Sequence, residues 1–128
     1  MIFENATYHS LPSRNTIRVG AKWFRHLELG ERLRATRKNG DLIGELTVRG
    51  LIFLPLKDAL RDFATNNHAV WAAYLETSPF RAAEFLKREL QEMYPDEVIN
   101  DETPVSVVVF EDIKYVSGLD LDDIDANV

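Results

Sequence analysis

At 128 residues and 14.7 kDa the chain has room for one compact domain. Its 45% hydrophobic and 28% charged residues are an ordinary globular composition, and it has no cysteine, which excludes disulfides, thiolate zinc sites and cysteine nucleophiles. The net charge of −6 conceals a gradient, with +4 over residues 1–50, −1 over 51–95 and −9 over 96–128. An acidic chain does not coat nucleic acid non-specifically. The basic first half is left to build a local anion-binding face or to lie solvated on the surface. No apolar run reaches the roughly 20 residues of a membrane span. The start Met1-Ile2-Phe3-Glu4-Asn5 lacks the layout of a signal peptide, so a cytoplasmic protein is expected.

Thr16-Ile17-Arg18-Val19 reads as a strand, and Ala21 to Leu27 as one or two helical turns with Trp23, Phe24 and Leu27 apolar. Residues 32–37 alternate in the period of a half-buried strand. Lys38-Asn39-Gly40-Asp41 then carries the Asn-Gly pair that favours a tight hairpin turn, and the return strand runs from Leu42 to about Phe53. Gly50 interrupts that strand and predicts a bulge or a bend at a barrel corner.

Leu56, Ala59, Leu60, Phe63 and Ala64 follow helical spacing. A second helical stretch begins near His68 and continues to about Leu75. Ser78-Pro79 then supplies a cap and a first-turn proline for a helix that buries Ala82, Leu86, Leu90 and Met93 and stops at Pro95. Val105 to Phe110 is apolar on both faces, as in a central buried strand. The fold class is α+β, a small curved or closed sheet with helices inserted between strand pairs. Residues 1–117 form a single domain, and residues 118–128 are an acidic C-terminal tail.

The chain has no dinucleotide-binding glycine fingerprint, no phosphate-binding P-loop, no HExxH and no nucleophile elbow. Its three histidines stand far apart, at 9, 26 and 68, and the aspartates of the tail lack the frame of an EF-hand loop. No cofactor and no metal is expected. The densest set of capable side chains is Thr16, Arg18, Lys22 and Trp23: Thr16 and Arg18 share one strand face, and Lys22 and Trp23 follow at the next helix start. Fixed donors, a hydroxyl and an indole plane suit a phosphate or a stacked base, while Trp23 also reads as core. Arg32 and Arg34 share a face of the hairpin strand and either extend a basic groove or face water. His68, at a helix start, reads as a hydrogen-bonded structural residue or as a ligand contact.

Together these pieces resemble the ASCH domain, a branch of the PUA-like superfamily associated with RNA. The resemblance spans roughly residues 14–113 and rests on the order of Thr16-Ile17-Arg18, Leu29-Gly30-Glu31-Arg32-Leu33, Gly44-Glu45-Leu46-Thr47-Val48, Phe53 to Leu60, the helix Phe85 to Pro95, and Val105 to Phe110. It implies a small PUA-like β-barrel or curved mixed sheet with three to four helices packed against it. It also implies a cleft for a nucleotide or single-stranded RNA, and the residues read above as candidates to line it are Arg18, Lys22, Trp23, Arg32, Arg34 and His68. Some small members resemble N4-acetylcytidine amidohydrolases that use a Lys, a Thr and a Glu. The Thr then falls on Thr16 and the Lys position on Ser13, with Arg14 and Lys22 near it, while Glu76 is the nearest candidate for the Glu. Ala35 stands where many members carry another glutamate.

Three functions follow as expectations. The first is a module binding RNA or a modified nucleotide. The second is a small hydrolase, amidohydrolase-like or a ribonuclease, with Thr16 and Lys22 catalytic. The third is an interaction domain using its acidic tail.

Overall fold

The computed structural model describes residues 15–36, 40, 42–72 and 78–115. Four strands, β1 (Asn15–Val19), β2 (Arg32–Thr36), β3 (Leu42–Pro55) and β4 (Pro104–Tyr115), form one sheet in the order β1-β4-β3-β2. Four helices join them: α1 (Lys22–His26), α2 (Leu56–Phe63), α3 (His68–Ala72) and α4 (Pro79–Met93), with a single 3-10 turn at Ala64–Asn66. The expected α+β class and helix count hold.

The closed barrel does not. Among the described residues β1 and β2 lie at opposite edges with β4 and β3 between them, so the sheet stays open. Nor is the sheet mixed, because every strand pair is antiparallel and the one parallel contact is an isolated bridge between Asn15 and Asn67.

Strand β4 is central because its residues are apolar on both faces. Val105 and Val107 pack with Ile17, Leu56 and Leu60 in the main core, under α2 and α4, whereas Val108 belongs to a smaller cluster with Leu27 and Val48. Strand β3 reaches both clusters through a bulge. Val48 pairs with Phe110 and Gly50 with Val109, so Arg49 is the extra residue. That residue brings Val48 and Leu51, three apart, onto the same cluster. The bulge expected at Gly50 is present, but not as a barrel corner.

Helix α4 starts where Ser78 caps it, its hydroxyl accepting from Arg81 N at 3.1 Å, and Ala82, Leu86 and Leu90 are its buried stripe. Helix α2 has no side-chain cap; its first donors, Leu56 N and Lys57 N, instead reach Thr103 O and Asp101 O at 2.8 and 2.9 Å. No helix among the described residues is long and apolar enough to cross a membrane. The turn positions 37–39 and 41, together with Ser13, Arg14, Glu76 and the acidic tail 118–128, lie outside the described residues.

Candidate functional site

The site begins on edge strand β1. Thr16 and Arg18 are both buried, and Arg18 Nε donates to Thr16 Oγ1 at 2.9 Å, one alternate step along the same strand face. A guanidinium stays charged in any protein environment, and an interior tolerates it only when its donors are engaged. The Thr16 bond is one such engagement, and it is not the only interaction Arg18 makes. The result is a cation whose planar fork is held in place.

A pair of asparagines brings the second wall to this strand. After the 3-10 turn, Asn67 runs extended and bridges to Asn15; its Nδ2 donates to Asn15 Oδ1 at 3.3 Å. Its Oδ1 meanwhile accepts from Ala69 N at 2.8 Å and so caps α3, while Asn15 Nδ2 donates to Phe63 O at 2.9 Å. His68, the first residue of α3, is thereby carried to Arg18. Burial, and then the nearby Arg18 charge, pushes the imidazole from its usual 6.5 down to about 3. The ring is neutral at physiological pH and is not a second cation.

Helix α4 closes the third side. Thr16, Arg18, Asn67, His68 and Glu89 supply the polar lining of a pocket whose apolar wall includes Leu86, Leu90 and Met93. The enclosed space is about 30 Å³, room for a water or two. Anything larger rests across the mouth and sends a single group inward. The pocket offers a fixed cation, a neutral imidazole, a hydroxyl, an amide and a carboxylate within one small volume. No group of three or more metal-ligating side chains occurs among the described residues.

The seven residues singled out from sequence divide into three places. Thr16, Arg18 and His68 meet in this pocket. Trp23 is half-buried against Leu27, Val48 and Val108, and Lys22 is exposed with Nζ 5.2 Å from the indole centroid. Arg32 and Arg34 are exposed on β2, opposite Thr47 and Glu45 at the far edge of the sheet from Arg18. Sequence reasoning missed Asn67 and Glu89. Glu89 had a signal, because it occupies i+3 in the stripe Leu86, Leu90, Met93, an inward position that an amphipathic helix normally fills with an apolar residue.

An open antiparallel sheet flanked by helices, with a polar pocket at its edge, makes this a small α+β domain. No family model and no curated protein matches the chain. Among solved structures, it is similar to a protein from Enterococcus faecalis V583 described by the family model DUF984. That match has a TM-score of 0.59 at 9% identity and covers 84% of this chain and 71% of the other. The fold is ASCH-like. An ASCH domain from Lactobacillus crispatus JV V101 superposes with a TM-score of 0.44 at 14% identity, over 81% of this chain and 65% of that one.

Proposed function

We propose that the chain binds a nucleotide or a short single-stranded RNA across the mouth of the β1–α3–α4 pocket, with Arg18 as the anchoring cation. The observation that carries this reading is the buried Arg18 guanidinium, oriented by Thr16 and set beside the neutral imidazole of His68. A fixed fork suits the paired oxygens of a phosphate or the acceptor edge of a base. Glu89 in the same pocket adds an acceptor for a base's amino group. The net charge of −6 confines the attraction to this locality, so one or two phosphates are neutralised instead of a long tract.

Fluorescence anisotropy of a labelled eight-nucleotide single-stranded RNA, with calorimetry of nucleoside monophosphates, tests the reading on the full chain. Binding is expected, with a logarithmic salt slope of about −0.7 for each neutralised phosphate. Arg18→Gln, folded by thermal melt, weakens it at least tenfold. Absence of binding by both probes, or unchanged affinity in that variant, overturns it.

A second reading, hydrolysis of an acylated or otherwise modified nucleoside, has one observation in its favour: Glu89 lines the same pocket as Thr16. Lys22 does not line it, so a base there comes from Glu89. Mass spectrometry of acylated nucleosides after incubation is the test. Product that disappears in Glu89→Gln supports hydrolysis, and binding without product leaves the module alone.

A further inference from the structure

On the sheet face that α1 covers, Phe24 and Phe53 stack with ring centroids 5.7 Å apart and planes 29° apart. Both rings remain open to solvent, at 41% and 42%. A lone exposed phenylalanine needs no account, but this pair is held where it stands. Phe24 N donates to Ser106 Oγ at 3.3 Å, and Ser106 Oγ donates to Gly20 O at 2.6 Å, so the start of α1 is pinned to β4. Neighbouring Trp23 turns into the small core, while the stacked phenylalanine pair stays partly exposed.

The charges beside these rings run against the sign of the chain. Helix α1 carries Lys22, Arg25 and His26 and no acid, and neither Lys22 nor Arg25 forms an ion pair among the described residues. Flat apolar faces fringed by cations are the combination that holds unpaired bases while tracking a phosphate backbone. Two rings are also too small a surface for a stable protein interface.

Arg18, Ser106 and Phe53 are direct partners in one row across β1, β4 and β3. Arg18 and Phe53 are therefore two strand spacings apart, about 10 Å. A group seated at the Arg18 pocket leaves the adjoining residue of the same strand within reach of the rings.

We infer that Phe24 and Phe53 form a base-stacking platform serving the Arg18 pocket, so that the ligand is a single-stranded oligonucleotide and not a free nucleotide. The inference rests on the reading of the pocket as a nucleotide site. Two sites on one strand raise affinity through effective concentration, and a mononucleotide gains nothing from the second.

The test compares the labelled eight-nucleotide single-stranded RNA with a nucleoside monophosphate on the full chain. The wild type binds the octamer more tightly. The double variant Phe24→Ala/Phe53→Ala loses about tenfold for the octamer and is unchanged for the mononucleotide. Phe24→Tyr/Phe53→Tyr, which keeps both ring faces, retains octamer affinity. Equal octamer affinity in wild type and the alanine double variant overturns the platform, and if Arg18→Gln still weakens binding, the pocket reading survives that result. Loss in the ring variant with no effect of Arg18→Gln supports the platform and overturns the pocket. Sedimentation velocity of the free protein runs alongside. A dimer that the double alanine variant dissolves, with RNA affinity unchanged, assigns the rings to a second copy of the chain and overturns the proposal.

Discussion

Asn67 ties to Asn15 across 52 residues of chain, its Nδ2 donating to Asn15 Oδ1 at 3.3 Å while its own Oδ1 caps α3 at Ala69 N. One buried amide thus joins the edge strand that carries Arg18 to the helix that begins with His68. Neither a helix cap nor a strand pair alone would bring those two side chains together. Asn67→Ala removes the cap and leaves Asn15 Oδ1 buried without that donor. Its expected cost is roughly 2–4 kcal/mol of folding stability in urea denaturation. Asn67→Ser keeps a capping oxygen but has no amide to reach Asn15, and it falls between the two. A loss below about 0.5 kcal/mol in Asn67→Ala would show that the tie is dispensable.

His68 makes stability depend on pH. Its folded-state pKa of about 3 lies below the ordinary 6.5, so below pH 6.5 the unfolded chain takes up a proton that the folded chain refuses. This contribution is fully present above pH 6.5 and is lost as pH falls toward about 3. The limiting slope is about 1.4 kcal/mol per pH unit. The interval between pH 6.5 and 5 isolates the effect, because carboxylates such as Asp62 and Asp101, held low by Arg61 and Lys87, titrate further down. Urea midpoints over that interval decline in the wild type and stay flatter in His68→Gln. Parallel slopes in the two proteins would refute the assignment.

Thr16 orients Arg18 through a single oxygen, which a nearly isosteric change removes. Thr16→Val preserves volume and strand propensity but leaves Arg18 Nε without its 2.9 Å acceptor. A stability loss of about 1–3 kcal/mol is expected, with weaker binding of the octamer RNA. Arg18→Lys tests the same point from the other side, since an ammonium keeps the charge and loses the fork. Full affinity in Arg18→Lys would mean that charge alone suffices.

Much of this fold is written locally. The alternation of residues 32–36, the two-faced apolar run of β4 and the Ser78-Pro79 start of α4 each follow from short-range pattern, and each element forms as those patterns predict. Closure is different, because it depends on whether β1 meets β2, and nothing in either strand encodes its second neighbour. The site divides in the same way. Alternation puts Thr16 and Arg18 on one face, but closeness along the chain also groups Lys22 and Trp23 with them. The short helix α1 separates that group, since it lays Trp23 on Val48 and Val108 while Thr16 and Arg18 line the pocket at the β1 edge. Glu89 stands on the inward stripe of α4, but helical spacing alone does not say that this stripe meets Thr16, Arg18 and His68 in one pocket.

Gly50 locates the bulge that sets the register of β3, and its reason is space. A Cβ at this position would lie 3.1 Å from Val109 Cβ and 3.2 Å from Val109 Cγ2, inside ordinary contact distance. Gly50→Ala therefore requires the Val109 side chain to give by a few tenths of an ångström, at the point where Arg49 is already the extra residue. Overpacking of this kind costs about 1–3 kcal/mol. If the clash with Val109 is the cause, trimming that side chain relieves it. Gly50→Ala in a Val109→Ala background should then cost at least about 0.5 kcal/mol less than in the wild type, a coupling that a double-mutant cycle in urea reads directly. Strict additivity of the two substitutions would instead place the penalty in the backbone of the bulge, where Val48 and Leu51 both turn toward Trp23.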